Sequence, residues 1–218
     1  MRIVIFANGE LEDPQAEAAR WVRADDVIVG ANGGTFYAME ADLLPDHVIG
    51  DLDSLSSNLQ RWLTEEGTRF HPHPPVKDET DLELALFWAV EQAPDEGIVV
   101  LGALGRRPDQ TLANLLLLAL PELEGCDVRL VGGNWEIRLI HAGETLTLSG
   151  QPEDTVSLVP LGGDVHGVTT SGLRYPLEGE VLRFGPSRGV SNVLEREDAT
   201  VAVDEGLLWC FHRRGREA

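Results

Sequence analysis

The chain has 218 residues, 43% of them hydrophobic and 25% charged, which suits one large folded domain or two small ones and gives no sign of disorder. Its formal net charge of −20 argues against a nucleic-acid surface or an anionic membrane as partner, and a nucleotide would need a metal and local Arg or Lys to be received. Cys126 and Cys210 stand alone, the first strand turns polar at Asn8-Gly9-Glu10, and no apolar run approaches the ~20 residues of a bilayer span, so a soluble cytoplasmic protein with neither zinc site nor disulfide framework is expected.

Residues 2–7 are mostly apolar and read as a strand buried on both faces. A helix over 14–23 opens on Pro14, where the missing N–H costs nothing. A second buried strand covers 26–31 and runs into Asn32-Gly33-Gly34, with a helix over 35–41. A third strand, His47-Val48-Ile49, ends in Gly50-Asp51-Leu52-Asp53-Ser54. A helix near 58–66, a short strand at 69–71 and an extended Pro-rich approach lead to a helix over 81–93. Leu82, Ala85, Leu86, Ala89 and Val90 share one face of that helix, and Thr80 with Glu83 has the capping-box spacing. His71 and His73, two apart, are expected to be loop residues rather than ligands. Residues 97–101 form the next buried strand, followed by Gly102 to Gln110 and a helix from Pro108 to Leu120.

Strands alternating with helices predict a parallel sheet in a three-layer α/β domain over residues 1–134. From Trp135 onward the pattern changes to short β runs at 135–140, 144–148, 155–160, 164–169, 181–184, 199–203 and 207–212. These predict an all-β sandwich or barrel-like domain over 135–218.

Asp51 and Asp53 are two apart, so on an extended backbone their carboxylates leave the same face. Carboxylates forced together repel unless a cation joins them or one is protonated, and clustered hard oxygens are what Mg²⁺ prefers. An acidic turn is the alternative for that pair taken alone. Asp78 and Asp81 fall at a helix start, where they either join this chemistry or complement the helix dipole. Gly105-Arg106-Arg107-Pro108-Asp109 is a glycine-rich turn into a helix with two arginines, suited to a phosphate, or else a tight turn with solvated arginines. In an open α/β sheet all these strand ends face one crevice. Several carboxylates, two glycine loops and three cations there fit Mg²⁺ with a polyphosphate. The P-loop, Gly-x-Gly-x-x-Gly, His-Glu-x-x-His and Gly-x-Ser-x-Gly patterns are absent.

In order along the chain, Ala31-Asn32-Gly33-Gly34, Pro45-Asp46 with Ile49-Gly50-Asp51-Leu52-Asp53-Ser54, Lys77-Asp78-Glu79-Thr80-Asp81, Gly102 to Gln110, Ser171-Gly172-Leu173-Arg174-Tyr175-Pro176-Leu177 and Ser191-Asn192 resemble the thiamine pyrophosphokinase family. The family usually carries Asp where Asn32 stands, Gly-Gly-Arg where this chain has Gly105-Arg106-Arg107, and often Trp in place of Tyr175.

The resemblance implies a homodimer that binds ATP and Mg²⁺ in the α/β domain and thiamine between that domain and the partner's β domain. By that likeness Asp51, Asp53 and Asp81 surround the metal and the diphosphate, with Lys77 and Asp78 beside them. Asn32, Gly33, Gly34, Arg106, Arg107, Asp109 and Gln110 border the nucleotide. Tyr175, Ser191 and Asn192, with Asp81, meet the vitamin, whose cationic thiazolium suits carboxylates and an aromatic face. The implied reaction is diphosphoryl transfer from ATP to the thiamine hydroxyl. A hydroxymethyl-pterin acceptor and a non-catalytic nucleotide or thiamine sensor are the competing readings. A structural Ca²⁺ site would need the longer acidic run and distal Glu that this chain lacks.

Overall fold

A computed structural model of the chain describes residues 1–105 and 107–215, in two compact units, Met1–Gly133 and Asn134–Ala218. In the first unit the strands are β1 (Ile3–Phe6), β2 (Val27–Ala31), β3 (His47–Gly50), β4 (Arg69–Pro72), β5 (Ile98–Leu101) and β6 (Val128–Gly132). The helices are α1 (Pro14–Trp21), α2 (Gly34–Glu40), α3 (Ser57–Glu65), α4 (Asp81–Glu91) and α5 (Pro108–Leu117). The sheet order is β4-β3-β2-β1-β5-β6, and the pairings are parallel.

Central position explains the sequence of β1: its Ile-Val-Ile-Phe is apolar at every residue because both faces are covered, and each of the four side chains is fully buried. On one side Val4, Phe6, Val99 and Leu101 join Ala18 of α1 and Ala38 of α2 in a core. Farther out, Val48 packs with Leu55 and Leu63. Helix α4 buries Leu82, Ala85, Leu86 and Ala89, while Val90 is half-buried. Its start is fixed by Thr80, whose hydroxyl accepts from Glu83 N at 3.2 Å.

The chain builds outward from β1 to β4 on one side and then places β5 and β6 on the other. That reversal makes the gap between β1 and β5 the switch point of the sheet, where a crevice opens outside the carboxyl ends. Strand β6 was not expected from the sequence. Val128-Arg129-Leu130-Val131 is short, follows a Gly-Cys-Asp turn, and alternates only weakly, yet it pairs with β5 from Ile98↔Val128 to Leu101↔Val131.

The second unit consists of β7 (Trp135–Ile140), β8 (Thr145–Ser149), β9 (Thr155–Ser171), β10 (Glu178–Leu182), β11 (Asn192–Val193), β12 (Asp198–Ala202) and β13 (Glu205–Arg213). Its main path runs β7-β13-β9-β12-β8, with β10 and β11 also on β9, and the pairings are antiparallel. The two expected strands at 155–160 and 164–169 are one long strand. It passes through Gly162 at φ 75, a conformation open to glycine, and so serves β13 with its first half and β12 with its last residues. Ile140, Leu158, Val168, Leu182, Leu194, Val201 and Leu208 fill the core beneath.

Candidate active site

Strands β2 and β3 and helix α4 deliver the acidic side chains to one point. Asn32, the first residue after β2, has φ 45 and is 7% exposed. Its Nδ2 donates to Asp51 Oδ1 at 2.8 Å, Asp53 Oδ1 at 3.0 Å and Asp81 Oδ2 at 3.0 Å. Lys77 Nζ lies 2.9 Å from Asp81 Oδ1 and 3.8 Å from Asp51 Oδ2, its side chain mostly covered. Burial works to lower the Lys77 pKa, but Asp81, Asp51 and Asp53 outweigh it and hold the ammonium above its usual value. The Asn32 amide, followed by Asp51 and Ser54, holds the Asp53 carboxyl below its ordinary value. Three carboxylates face one ammonium, so the cluster keeps an excess of negative charge.

Asp51 and Asp53 meet by a different route from the one the sequence suggested. The backbone is not extended between them, because Leu52 sits at φ 62. This left-handed kink, rather than strand alternation, turns both carboxylates toward Asn32. Gly50, at φ 137, completes the arrangement: a Cβ there would stand 2.7 Å from Asp81 Oδ1 and 3.0 Å from the Asn32 Cβ.

Next to this cluster a cleft of about 620 Å³ opens at the β1–β5 switch point, and Asp81 belongs to its wall. Asn8, Gly9 and Glu10 after β1, Leu104 and Gly105 after β5, Tyr37 of α2, and Arg107, Gln110, Thr111 and Asn114 at the start of α5 line it. The loops are pinned together: Gly9 N donates to Gly102 O at 2.8 Å, Tyr37 Oη to Gly9 O at 2.9 Å, and Asn114 Nδ2 to Ala103 O at 2.7 Å. Arg107 is held by Asp109 through Nη2–Oδ2 at 2.6 Å and Nε–Oδ1 at 3.2 Å, and that ion pair lowers the Asp109 pKa and raises that of Arg107.

Gly33 and Gly34 serve close packing: a Cβ on Gly34 would collide with the Phe6 carbonyl, and one on Gly33 would stand 2.5 Å from the Asn8 amide. Asp78 is exposed. Arg106 lies outside the described residues. His71 stands in β4, where the short strand over 69–71 was expected, with Nε2 3.0 Å from Nδ1 of His47, and both rings pack on Trp88 of α4.

In the second unit Asn192 organises the loop that carries Tyr175. Its Oδ1 accepts from Tyr175 N at 3.0 Å and its Nδ2 donates to Tyr175 O at 2.8 Å. Tyr175 is 65% exposed. Ser191 has φ 63, and its N–H donates to Ser157 Oγ at 3.0 Å.

Among the described residues no group of three or more His, Cys, Asp or Glu side chains is arranged to hold a metal ion by itself. The donor chemistry nevertheless fits Mg²⁺. Asp51, Asp53 and Asp81 turn hard oxygens toward one amide, and Mg²⁺ needs only one or two protein carboxylates when water and phosphate supply the rest.

A family model described as "Thiamin pyrophosphokinase, catalytic domain" matches residues 18–130, and a second, "Thiamin pyrophosphokinase, vitamin B1 binding domain", matches 144–208. The thiamine pyrophosphokinase of Bacillus subtilis is 30% identical over 180 residues, covering 83% of this chain and 84% of the relative. The chain belongs to the thiamine pyrophosphokinase family. Solved structures agree. The thiamin pyrophosphokinase of Geobacillus thermodenitrificans superposes with a TM-score of 0.84 at 28% identity, covering 100% of this chain and 99% of that one. The Bacillus subtilis enzyme superposes with a TM-score of 0.84 at 25% identity, covering 99% and 100%.

The cleft also involves residues that the sequence did not single out. Asn8, Gly9, Tyr37, Thr111 and Asn114 line or brace the cleft. A signal for the first two was present: Asn8-Gly9 follows the first buried strand as Asn32-Gly33 follows the second.

Proposed function

We propose that this chain is a thiamine pyrophosphokinase that transfers a diphosphoryl group from ATP to the primary hydroxyl of thiamine, giving thiamine diphosphate and AMP. The observation that carries this reading, beside the family membership, is the junction of two features at Asp81. It belongs both to the acidic cluster gathered by Asn32 and to the wall of the switch-point cleft. A cleft of about 620 Å³ falls within the roughly 300–1,000 Å³ of small-molecule sites.

In this reading the cleft takes the nucleotide, with Arg107 and Gln110 in its lining and Lys77 paired with Asp81 of its wall. The thiamine oxygen attacks the β-phosphorus, the bond to the α-phosphate oxygen breaks, and AMP leaves. Such a transfer asks the protein for alignment and charge neutralisation more than for covalent chemistry. Asp51, Asp53 and Asp81 would hold Mg²⁺, which when bound neutralises charge on phosphate oxygens. Lys77 adds a fixed positive charge beside the same carboxylates. Asp81, held in the cluster, would take the proton of the thiamine hydroxyl; Asp78, the other carboxylate at this helix start, is exposed. Tyr175, exposed and with its backbone held by Asn192, offers an aromatic face to the thiazolium, and Ser191 stands beside Asn192 in sequence. Residues 1–134 as the catalytic domain and 135–218 as the vitamin-binding and dimerising domain belong to the same proposal.

Incubation with ATP, Mg²⁺ and thiamine tests it, with AMP and thiamine diphosphate as the expected products. ADP with thiamine monophosphate would indicate an ordinary kinase, and ligand binding without turnover a sensor. A homodimeric, cytoplasmic enzyme is part of this proposal; light scattering checks the first attribute and cell fractionation the second. Among the described residues no helix is long and apolar enough to cross a membrane.

A further inference from the structure

Three carboxylates opposite one ammonium do not stay together unaided. Asp51, Asp53 and Asp81 would separate, or one would take up a proton, unless something donates to all of them. Asn32 Nδ2 does so at 2.8, 3.0 and 3.0 Å. An amide nitrogen carries two hydrogens for these three acceptors, so the bonds are shared. Turning the amide by half a rotation would set its oxygen against three carboxylate oxygens, so charge fixes its orientation. That orientation leaves Asn32 Oδ1 buried without a hydrogen-bond partner, an unfavourable arrangement that the three donated bonds offset. The backbone is committed to the same end. Asn32 takes the left-handed conformation, and Gly50, having no side chain, lets Asp81 and Asn32 close on each other.

We propose that Asn32 is the positioning residue that keeps Asp51, Asp53 and Asp81 converged while no divalent ion is bound, so that an ion meets a formed site. This rests on the reading of those carboxylates as ligands of a divalent ion. It assigns Asn32 to the carboxylates rather than to the nucleotide. A neutral donor holds the site together in either state of occupancy. A carboxylate at the same position would add a fourth negative charge and make the arrangement depend on the ion.

The test is thermal melting of the full chain in EDTA and in excess Mg²⁺, with wild-type turnover of ATP and thiamine measured beside it so that a failed substrate assignment is told apart from a failed clamp. Asn32→Asp exchanges donor for acceptor at constant size, and it is expected to melt about 5 °C or more below wild type in EDTA and to regain most of that in Mg²⁺. Asn32→Leu removes the donor without adding a charge, so it is expected to be weakened in EDTA and to show a smaller Mg²⁺ shift than Asn32→Asp, which gives the ion one more negative charge to relieve. The double variant Asn32→Asp with Asp53→Asn, which restores the charge, is expected to melt in EDTA well above the single Asn32→Asp variant, and it keeps the test decisive if the single variant fails to fold. Equal melting of wild type and Asn32→Asp in EDTA, or equal Mg²⁺ shifts in Asn32→Asp and Asn32→Leu, or a double variant no more stable than the single one, would each overturn the proposal.

Discussion

At the scale of the residue, the acidic cluster depends on a position with no side chain. Gly50 ends β3 at φ 137, and an added methyl group would sit 2.7 Å from Asp81 Oδ1 and 2.9 Å from its Cγ. Replacing it by Ala forces a conformation that L-residues avoid and also pushes Asp81 off its contacts with Asn32 and Lys77. The expected outcome for Gly50→Ala is a loss of about 2 kcal/mol in unfolding free energy from strain, with turnover falling by about tenfold or more. Urea unfolding and steady-state rates on one preparation measure both, and a variant with normal turnover would show that Asp81 does not need this placement. The sequence made Asp51 and Asp53 visible as a pair, because two carboxylates so close need a reason. It could not show that Leu52 would bend left-handed or that Asn32 would lie between them. Those features arise where β2, β3 and α4 meet, and no local pattern encodes that meeting.

At the scale of the element, β3, β4 and α4 are locked behind the cluster by an imidazole pair. His47 Nδ1 and His71 Nε2 are 3.0 Å apart, and the Trp88 ring covers both, with centroids 4.4 and 5.4 Å away. That bond needs one N–H and one lone pair, so a proton on each ring would set two donors face to face. Burial is the main cause lowering both pKa values, and the other ring and Arg69 lower that of His47 further, as His73 and Arg69 do for His71; Asp46 acts the other way on His47. Because the folded-state values lie below the unfolded 6.5, the contribution is complete above that pH and is lost as the unfolded chain takes up protons below it. Stability is therefore expected to decline as pH falls below about 6.5, and His71→Gln to show a shallower decline; a variant with the wild-type slope would assign the pH dependence elsewhere. His212, also lowered mainly by burial, remains in the variant and keeps the slope from vanishing. Elements with strong periodicity, such as α4 with its Leu82-Ala85-Leu86-Ala89 face, were legible beforehand. Strand β6 and the continuity of β9 were not, because the first has a short weak pattern and the second is interrupted by Gly162-Gly163, which reads as a turn.

At the scale of the whole molecule, a net charge of −20 meets substrates of opposite sign, an anionic nucleotide and a cationic vitamin. Which effect governs nucleotide binding depends on whether local cations outweigh the general field. Arg107 is paired with Asp109, and Lys77 with Asp81 and Asp51, so each of these positive charges is largely spoken for. The long-range negative field should then prevail, and added salt should weaken it over distances beyond the Debye length of about 8 Å at physiological ionic strength. At fixed free Mg²⁺, raising KCl from about 20 to about 300 mM is expected to lower KM for ATP and raise KM for thiamine, each by about twofold or more. The opposed signs matter more than the sizes, because a general salt effect on folding or on the chemical step would move both constants the same way. A KM for ATP that rises with salt would mean that local cations, Arg107 and Lys77 among them, dominate the approach despite their acidic partners.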